Sequence, residues 1–148
     1  MTTMDKRSAV SCAFLSEPKE DQIRQIVALY RTQGWWQPGD EGKEHLVRRL
    51  IAGSHCFLAA LDQDDIVGMG RAISDGVSDA YIQDLTVRID RRGEGIATQM
   101  LQKIIDRLHA DGIAWIGLIA EPGSADLYHH AGFLKMSGAT PMVLITKQ

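Results

Sequence analysis

The run Asp84-Leu-Thr-Val-Arg-Ile-Asp-Arg-Arg-Gly-Glu-Gly-Ile-Ala97 constrains this chain more than any other stretch. A β-prone segment, Tyr81 to Val87, stops at a charged bend. Gly93 and Gly95 follow, and a strongly amphipathic helix begins near Ile96. Helix N-termini leave backbone N–H groups unpaired and carry partial positive charge. Glycine lets the backbone take up positive φ and approach an anion closely. A strand, a glycine turn and a helix in this order predict an anion cradle, with Arg88, Arg91 and Arg92 adding three cations at its mouth.

Three loops of this kind compete. A nucleotide-binding P-loop requires Gly-x-x-x-x-Gly-Lys-Ser/Thr, which does not occur here. The dinucleotide fingerprint requires Gly-x-Gly-x-x-Gly; Gly93 and Gly95 supply its first half, but Thr98 stands at the third position. The spacing that fits is Gln/Arg-x-x-Gly-x-Gly/Ala, met by Arg92-Gly93-Glu94-Gly95-Ile96-Ala97. This segment resembles the pyrophosphate-binding segment of the GCN5-related N-acetyltransferase (GNAT) family.

At 148 residues the chain is expected to be a single domain, residues 1–148, with enough core to fold alone. It is 45% hydrophobic and 24% charged, the make-up of an ordinary globule. It contains no 18-residue apolar run, so no membrane-spanning helix is expected. Met1 to Arg7 lacks the apolar core of a secretion signal. Cys12 and Cys56 both lie in apolar runs and are expected to be buried, reduced thiols of a cytoplasmic protein. A net charge of −3 argues against nucleic acid as a partner. The five histidines, among them the neighbours His129 and His130, form no metal-ligand pattern, so no metal is expected.

Residues 9–15 read as a first strand. A helix is predicted from Ser16-Glu-Pro18, with Ile23, Ile26, Val27 and Tyr30 on its buried face, ending at Gly34. Trp35-Trp36-Gln-Pro-Gly39 forms a loop, and a second helix runs from about Asp40 to Ala52. Strands at Cys56–Leu61 and Ile66–Ile73 flank a turn at Asp62–Asp65, and Asp75-Gly76 precedes the strand at Tyr81–Val87. The helix after the cradle carries one wide apolar stripe from Ile96 to Leu108. Ala114–Ala120 reads as a strand buried on both faces, followed by a short helix over Ser124–Ala131 and strands at Leu134–Met136 and Met142–Thr146.

This order, β-α-α-β-β-β-α-β-α-β-β, is also that of the GNAT family, and the resemblance extends over essentially the whole chain. In Leu127-Tyr128-His129-His130-Ala131-Gly132-Phe133 the chain is similar to the family's Leu/Phe-Tyr-x-x-x-Gly-Phe motif. The resemblance implies an α/β (α+β) fold: a mixed, mostly antiparallel central sheet with splayed parallel strands 4 and 5, flanked by helices. It implies transfer of an acetyl group from acetyl-CoA, the co-substrate, to a primary amine of a small molecule by direct attack in a ternary complex. Backbone amides from Arg92 to Ala97 would hold the pyrophosphate, and the backbone of Leu85 and Val87 would pair with the pantetheine arm. An N–H near Leu85 would stabilise the developing oxyanion.

Two proton movements are then required. An alkylamine, with pKa about 10.4, must lose a proton before it attacks, and the departing thiolate must gain one. Tyr128 is the expected acid. Asp84, the carboxylate of its strand, is the candidate base or amine ligand; a water chain is the alternative, as is a hydrogen-bonding role at a strand kink. Trp35 and Trp36 border the expected acceptor pocket, where they would stack on an amine or else plug the core, with Tyr30 and Tyr81 completing an aromatic wall. The resemblance further implies a homodimer formed through the C-terminal strands. Two family features are absent: Ile89 replaces a proline after the strand-ending valine, and Glu121-Pro-Gly123 replaces an asparagine that contacts coenzyme A. A catalytically silent acyl-CoA-binding or sensing module, and a protein or peptide N-acetyltransferase, are the alternative functions.

Overall fold

A computed structural model describes residues 9–37 and 43–146. The elements run β1 (Ser11–Phe14), α1 (Glu20–Thr32), α2 (Lys43–Gly53), β2 (Cys56–Asp62), β3 (Asp65–Ser74), β4 (Asp79–Val87), a 3₁₀ turn (Ile89–Arg91), α3 (Ile96–Ala110), β5 (Trp115–Gly117) and α4 (Ala125–His130). The strands form one sheet in the order β1-β2-β3-β4-β5. The first three pairings are antiparallel; β4 and β5 are parallel.

The chain divides into two compact units, one ending at Leu118 and one beginning at Ile119. In the first, α1 begins four residues later than Ser16, because Pro18 pushes the residue before it toward extended backbone and Lys19 is itself extended. Ile23, Ile26, Val27 and Tyr30 are buried as their spacing requires, against Val47 and Ile51 of α2 and Phe57, Ala59 and Met69 of the sheet. The opposite sheet face receives α3, whose Met100, Leu101, Ile104 and Leu108 are buried. Gly68 and Gly70 of β3 make that approach possible. A Cβ on Gly68 would stand 2.8 Å from Met100 Cε, and one on Gly70 3.2 Å from Ile104 Cδ1 of α3 and 2.7 Å from Leu85 Cδ1 of the neighbouring strand. The two cysteines are free thiols, Cys56 buried and Cys12 half-buried.

Two expectations are corrected. The strand at Ala114–Ala120 spans only Trp115–Gly117, and Trp115 is exposed rather than buried. An apolar run does not itself disclose whether both faces are covered; here the buried residue is Ile113, just before the strand. Second, Leu134–Met136 and Met142–Thr146 form no strand, and Met142 through Ile145 are each at least 80% exposed. A β-like side-chain pattern makes a strand only where a ladder partner completes its hydrogen bonds. Among the described residues α2 begins at Lys43; Pro38 to Gly42, including the predicted start at Asp40, lie outside them. Among the described residues no helix is long and apolar enough to cross a membrane.

The β3–β4 hairpin is closed by Asp75, whose carboxylate accepts from the N–H groups of Val77 and Ser78 and from the Ser78 hydroxyl, each at 2.8 Å. These donors pull its pKa from 3.8 down to about 2, the Ser78 amide contributing most. A carboxyl depressed on folding adds stability that is complete above its unfolded pKa and is lost as pH falls through the folded one. The hairpin is therefore expected to loosen between about pH 4 and pH 2. Asp75→Ala should lower thermal stability at pH 6 and leave it nearly unchanged at pH 2; equal losses at both pH values would refute this.

Candidate active site

The predicted cradle is a strand, a turn and a helix start with unusual backbone. Gly93 and Gly95 both have φ +80, the left-handed region that favours glycine. A Cβ at either would meet nothing within 4 Å, so the glycines are required by conformation rather than by crowding. Gly95 caps α3, and the helix's first internal bond runs from Gln99 N–H to its carbonyl, 3.1 Å. The amides of Ile96, Ala97 and Thr98 thus precede the hydrogen-bonded ladder, at the positive end of a 15-residue helix.

The three arginines are not three free cations at the mouth, which corrects that expectation. Arg91 is buried, donating to Asp62 Oδ2 at 2.6 Å and to Glu94 Oε2 at 3.0 Å. Arg88 pairs with Asp90 at 2.6 Å, and Arg92 Nε donates to the Val87 carbonyl at 3.1 Å. Glu94, predicted within the cofactor-binding run, turns its carboxylate to Arg91, so its charge is answered inside the loop. Arg91 therefore works as a strut between the β2–β3 turn and the cradle.

Alongside the cradle, β4 and β5 part. Their pairing covers only Asp79↔Trp115, Ala80↔Ile116 and Tyr81↔Gly117. From Ile82 to Val87, β4 continues with no ladder partner on its β5 side among the described residues. Leu85 and Val87 lie in this open edge, where an extended chain carrying amides finds backbone donors and acceptors at every second residue.

β4 is also irregular at this point. Met69 pairs with Thr86 and Arg71 with Gln83, so Gly70 alone faces both Asp84 and Leu85, a β-bulge. Asp84 has φ +58, rare for a residue with a Cβ and worth about 1 kcal/mol of strain or more. Side chains from two other elements hold it there. The Tyr30 hydroxyl of α1 donates to Asp84 Oδ2 at 2.7 Å, and Arg71 Nε of β3 donates to the same oxygen at 2.6 Å. Arg71 reaches on to Ser54 Oγ and Gln83 Oε1, both at 3.3 Å. Burial, then the Asp84 charge, raise the Tyr30 pKa well above the usual phenol value, so the proton stays on Tyr30.

Tyr30 and the two tryptophans are placed differently from the open aromatic wall that was expected. Tyr30 is 2% exposed. Trp36 stacks on its ring at 4.2 Å and 10°, and Trp35 tilts against it at 5.9 Å. Both indoles are partly buried against the core, and the Lys43 ammonium lies 5.4 Å from the Trp36 ring. Tyr81, by contrast, is 47% exposed and meets Trp115 edge-on, centroids 5.4 Å apart. Arg71 and Trp115 were not anticipated. Arg71 lies outside every motif, while Trp115 sat in a run read as wholly buried.

Tyr128 lies in the second unit, on α4, half-buried and edge-on to Phe133 at 5.9 Å. Burial, then the Glu121 carboxylate, raise its pKa above the usual phenol value. The phenol is thus protonated at neutral pH. Among the described residues no group of three or more His, Cys, Asp or Glu is arranged to hold a metal ion.

Residues 30–141 match a family model described as the acetyltransferase (GNAT) domain. The chain belongs to the GNAT family. It is 33% identical over 131 residues to an uncharacterized N-acetyltransferase, ycf52, from Gracilaria tenuistipitata var. liui, covering 88% of this chain and 72% of that protein. Its fold is that of a GNAT-family acetyltransferase from Streptococcus pneumoniae, with TM-score 0.76 and 22% identity over 95% of this chain and all of the other. A predicted acetyltransferase from Clostridium acetobutylicum, solved with acetyl-CoA, superposes with TM-score 0.69 and 16% identity over 91% of this chain and 96% of that one. The protein is a GNAT-type acetyltransferase.

If Arg91 is a strut, its loss strands two carboxylates. Arg91→Met should lower the thermal midpoint by roughly 5 °C or more. Arg88→Met, which removes a pair exposed to solvent and two residues apart, should change it by less than about 2 °C. Similar effects from the two substitutions would remove Arg91 from this role.

Proposed function

We propose that the chain transfers an acetyl group from acetyl-CoA to the primary amine of a small molecule, by direct attack in a ternary complex, with both units working as one acetyltransferase domain. The observation that carries this reading is the open β4 edge from Ile82 to Val87 beside a glycine-capped helix N-terminus. In this proposal the amides of Arg92 to Ala97 take the pyrophosphate, an arrangement that favours an anion of modest size. Arg91 and Glu94 contribute through their backbone, their side chains being spent on each other and on Asp62. The pantetheine arm pairs with the edge at Leu85 and Val87. The bulge turns a backbone N–H near Leu85 out of the ladder and toward the thioester carbonyl, where it steadies the oxyanion.

Asp84 then meets the acceptor. Tyr30 and Arg71 both donate to Oδ2, and Oδ1 is the oxygen offered to the amine. The ammonium loses one proton to Asp84 or to water, its nitrogen bonds to the carbonyl carbon, and the second proton then leaves that nitrogen for water. Collapse of the tetrahedral intermediate breaks the carbon–sulfur bond, and Tyr128 gives its proton to the departing thiolate. A phenol raised above its usual pKa holds that proton until the thiolate appears. Tyr30, Trp35 and Trp36 act from behind, by fixing Asp84 and the wall it stands on.

The first test is a thermal-shift titration with acetyl-CoA, desulfo-CoA, ATP and NAD. A ligand at a hundred times its dissociation constant adds about 2.7 kcal/mol. Both CoA species should raise the midpoint and NAD should not; no shift with either would end the proposal. Tyr128→Phe should then keep acetyl-CoA affinity and lose roughly tenfold or more in turnover with an amine. An unchanged turnover would remove Tyr128 as the acid. Binding of acetyl-CoA without turnover of any amine would favour the silent acyl-CoA-binding module.

A further inference from the structure

At the far end of α3 from the cradle, the first unit holds a cleft that acetyl transfer does not use. It lies where β1 ends, β2 begins and the last turns of α2 and α3 come together. Arg107, in the last turn of α3, lines it; at about 1.5 Å per residue it stands roughly 16 Å along the axis from Ile96. The cleft measures about 340 Å³. Leu15, Ile51 and Phe57 give it an apolar floor that belongs to the core. No aspartate or glutamate is among the described residues that line it, and its charged or chargeable side chains are Arg107 and His55.

These two groups are held in place from behind. Arg107 Nε donates to Asp111 Oδ2 at 2.9 Å, and His55 Nε2 donates to the same oxygen at 2.7 Å. The guanidinium also lies 4.9 Å from the Phe14 ring. One edge and one face of it are therefore occupied. Its Nη1 and Nη2 have no hydrogen-bond partner among the described residues. That free end is a two-donor fork, the shape that a carboxylate fits. Helix-end carbonyls beside the cleft, which would favour a cation, are already capped. Ser54 donates its N–H to the carbonyls of Leu50 and Ile51 and its hydroxyl to Leu50.

We propose that this cleft is a second ligand site, and that it takes a small monocarboxylate carrying an apolar group. The carboxylate sits on the Arg107 fork beside His55, and the apolar group on Ile51 and Phe57. Binding there does not depend on acetyl transfer. Size agrees, since small-molecule sites begin near about 300 Å³. At roughly 30 Å³ per water-sized group, the cleft holds about ten non-hydrogen atoms. Inorganic phosphate fits less well, because an apolar floor offers a highly hydrated ion nothing in place of its water.

The test titrates the isotope-labelled protein with hexanoate, hexanamide or inorganic phosphate and follows its amide NMR shifts. Hexanoate should move the amides of His55, Cys56 and Arg107 with a Kd of about 1 mM or below. Hexanamide and phosphate should bind there roughly tenfold more weakly or not at all. Arg107→Met removes the fork, and Ala52→Phe fills the cleft while keeping the fork. Each should weaken hexanoate roughly tenfold. Both replace side chains that reach solvent, and the rest of the spectrum reports whether the fold is kept. Saturating desulfo-CoA should leave the hexanoate Kd unchanged. No saturable shift by about 20 mM overturns the site. Equal affinity for hexanamide or phosphate, or indifference to both substitutions, overturns the fork and its ligand class. Shifts confined to residues 92–98, lost with desulfo-CoA, would put the anion in the cradle and overturn the second site while leaving the cradle standing.

Discussion

The site depends on one residue held where it would not stand by itself. Asp84 has a backbone conformation that a side chain disfavours, at the point where one residue of β3 faces two of β4. Tyr30 from α1 and Arg71 from β3 fix it through the same carboxylate oxygen. The hydrogen bonds and the bulge support each other: the bulge aims the carboxylate at its partners, and the partners offset the backbone strain. The opposite sheet face accepts the distortion because Gly70 leaves space for the displaced Leu85 side chain. The bulge interrupts the β3–β4 ladder along the same stretch whose β5-side edge is unpaired among the described residues.

The cradle follows a similar economy. A loop with three arginines, an aspartate and a glutamate looks like an electrostatic trap, yet its charges are largely answered within the neighbourhood. What faces outward is backbone polarity, from a helix N-terminus whose first residues follow a left-handed glycine. Amides fixed by a buried strut recognise an anion by direction and distance, whereas long cationic side chains would recognise charge alone. Arg91 thus stiffens the loop rather than offering it a free cation.

Much of this was legible in the sequence where the signal is local. The glycine turn, the apolar stripe of α3 and the turns that separate β2, β3 and β4 are set by neighbours a few residues apart, and they appear where expected. The partners of Arg91 and Asp84 were not legible, because Asp62 is 29 residues from Arg91 and Tyr30 is 54 from Asp84. No periodicity connects residues at such separations. Tyr30 was recognised as buried from its helical spacing, yet it was also given a place in an open wall; burial with its hydroxyl directed at Asp84 reconciles its apolar position with its polar atom. The residues from Leu134 onward carried a strand pattern whose ladder is missing among the described residues, a reminder that a strand is a property of two segments.

Gly117 stands where the parallel pairing ends. It is the last residue of β5 to pair with β4, and beyond it the β4 edge is open among the described residues. Its missing side chain also lets Trp115 fold across the strand and meet Tyr81. The place where the parallel pairing stops therefore has an exposed backbone edge on one side and an exposed aromatic corner on the other. A side chain at 117 would push the indole away from Tyr81, so the two features cannot be tuned separately at this position. Trp115 had been read as part of a buried strand because its neighbours are apolar. The signal that separates it from them is the glycine two residues on, where the strand face has room for a ring and nothing else.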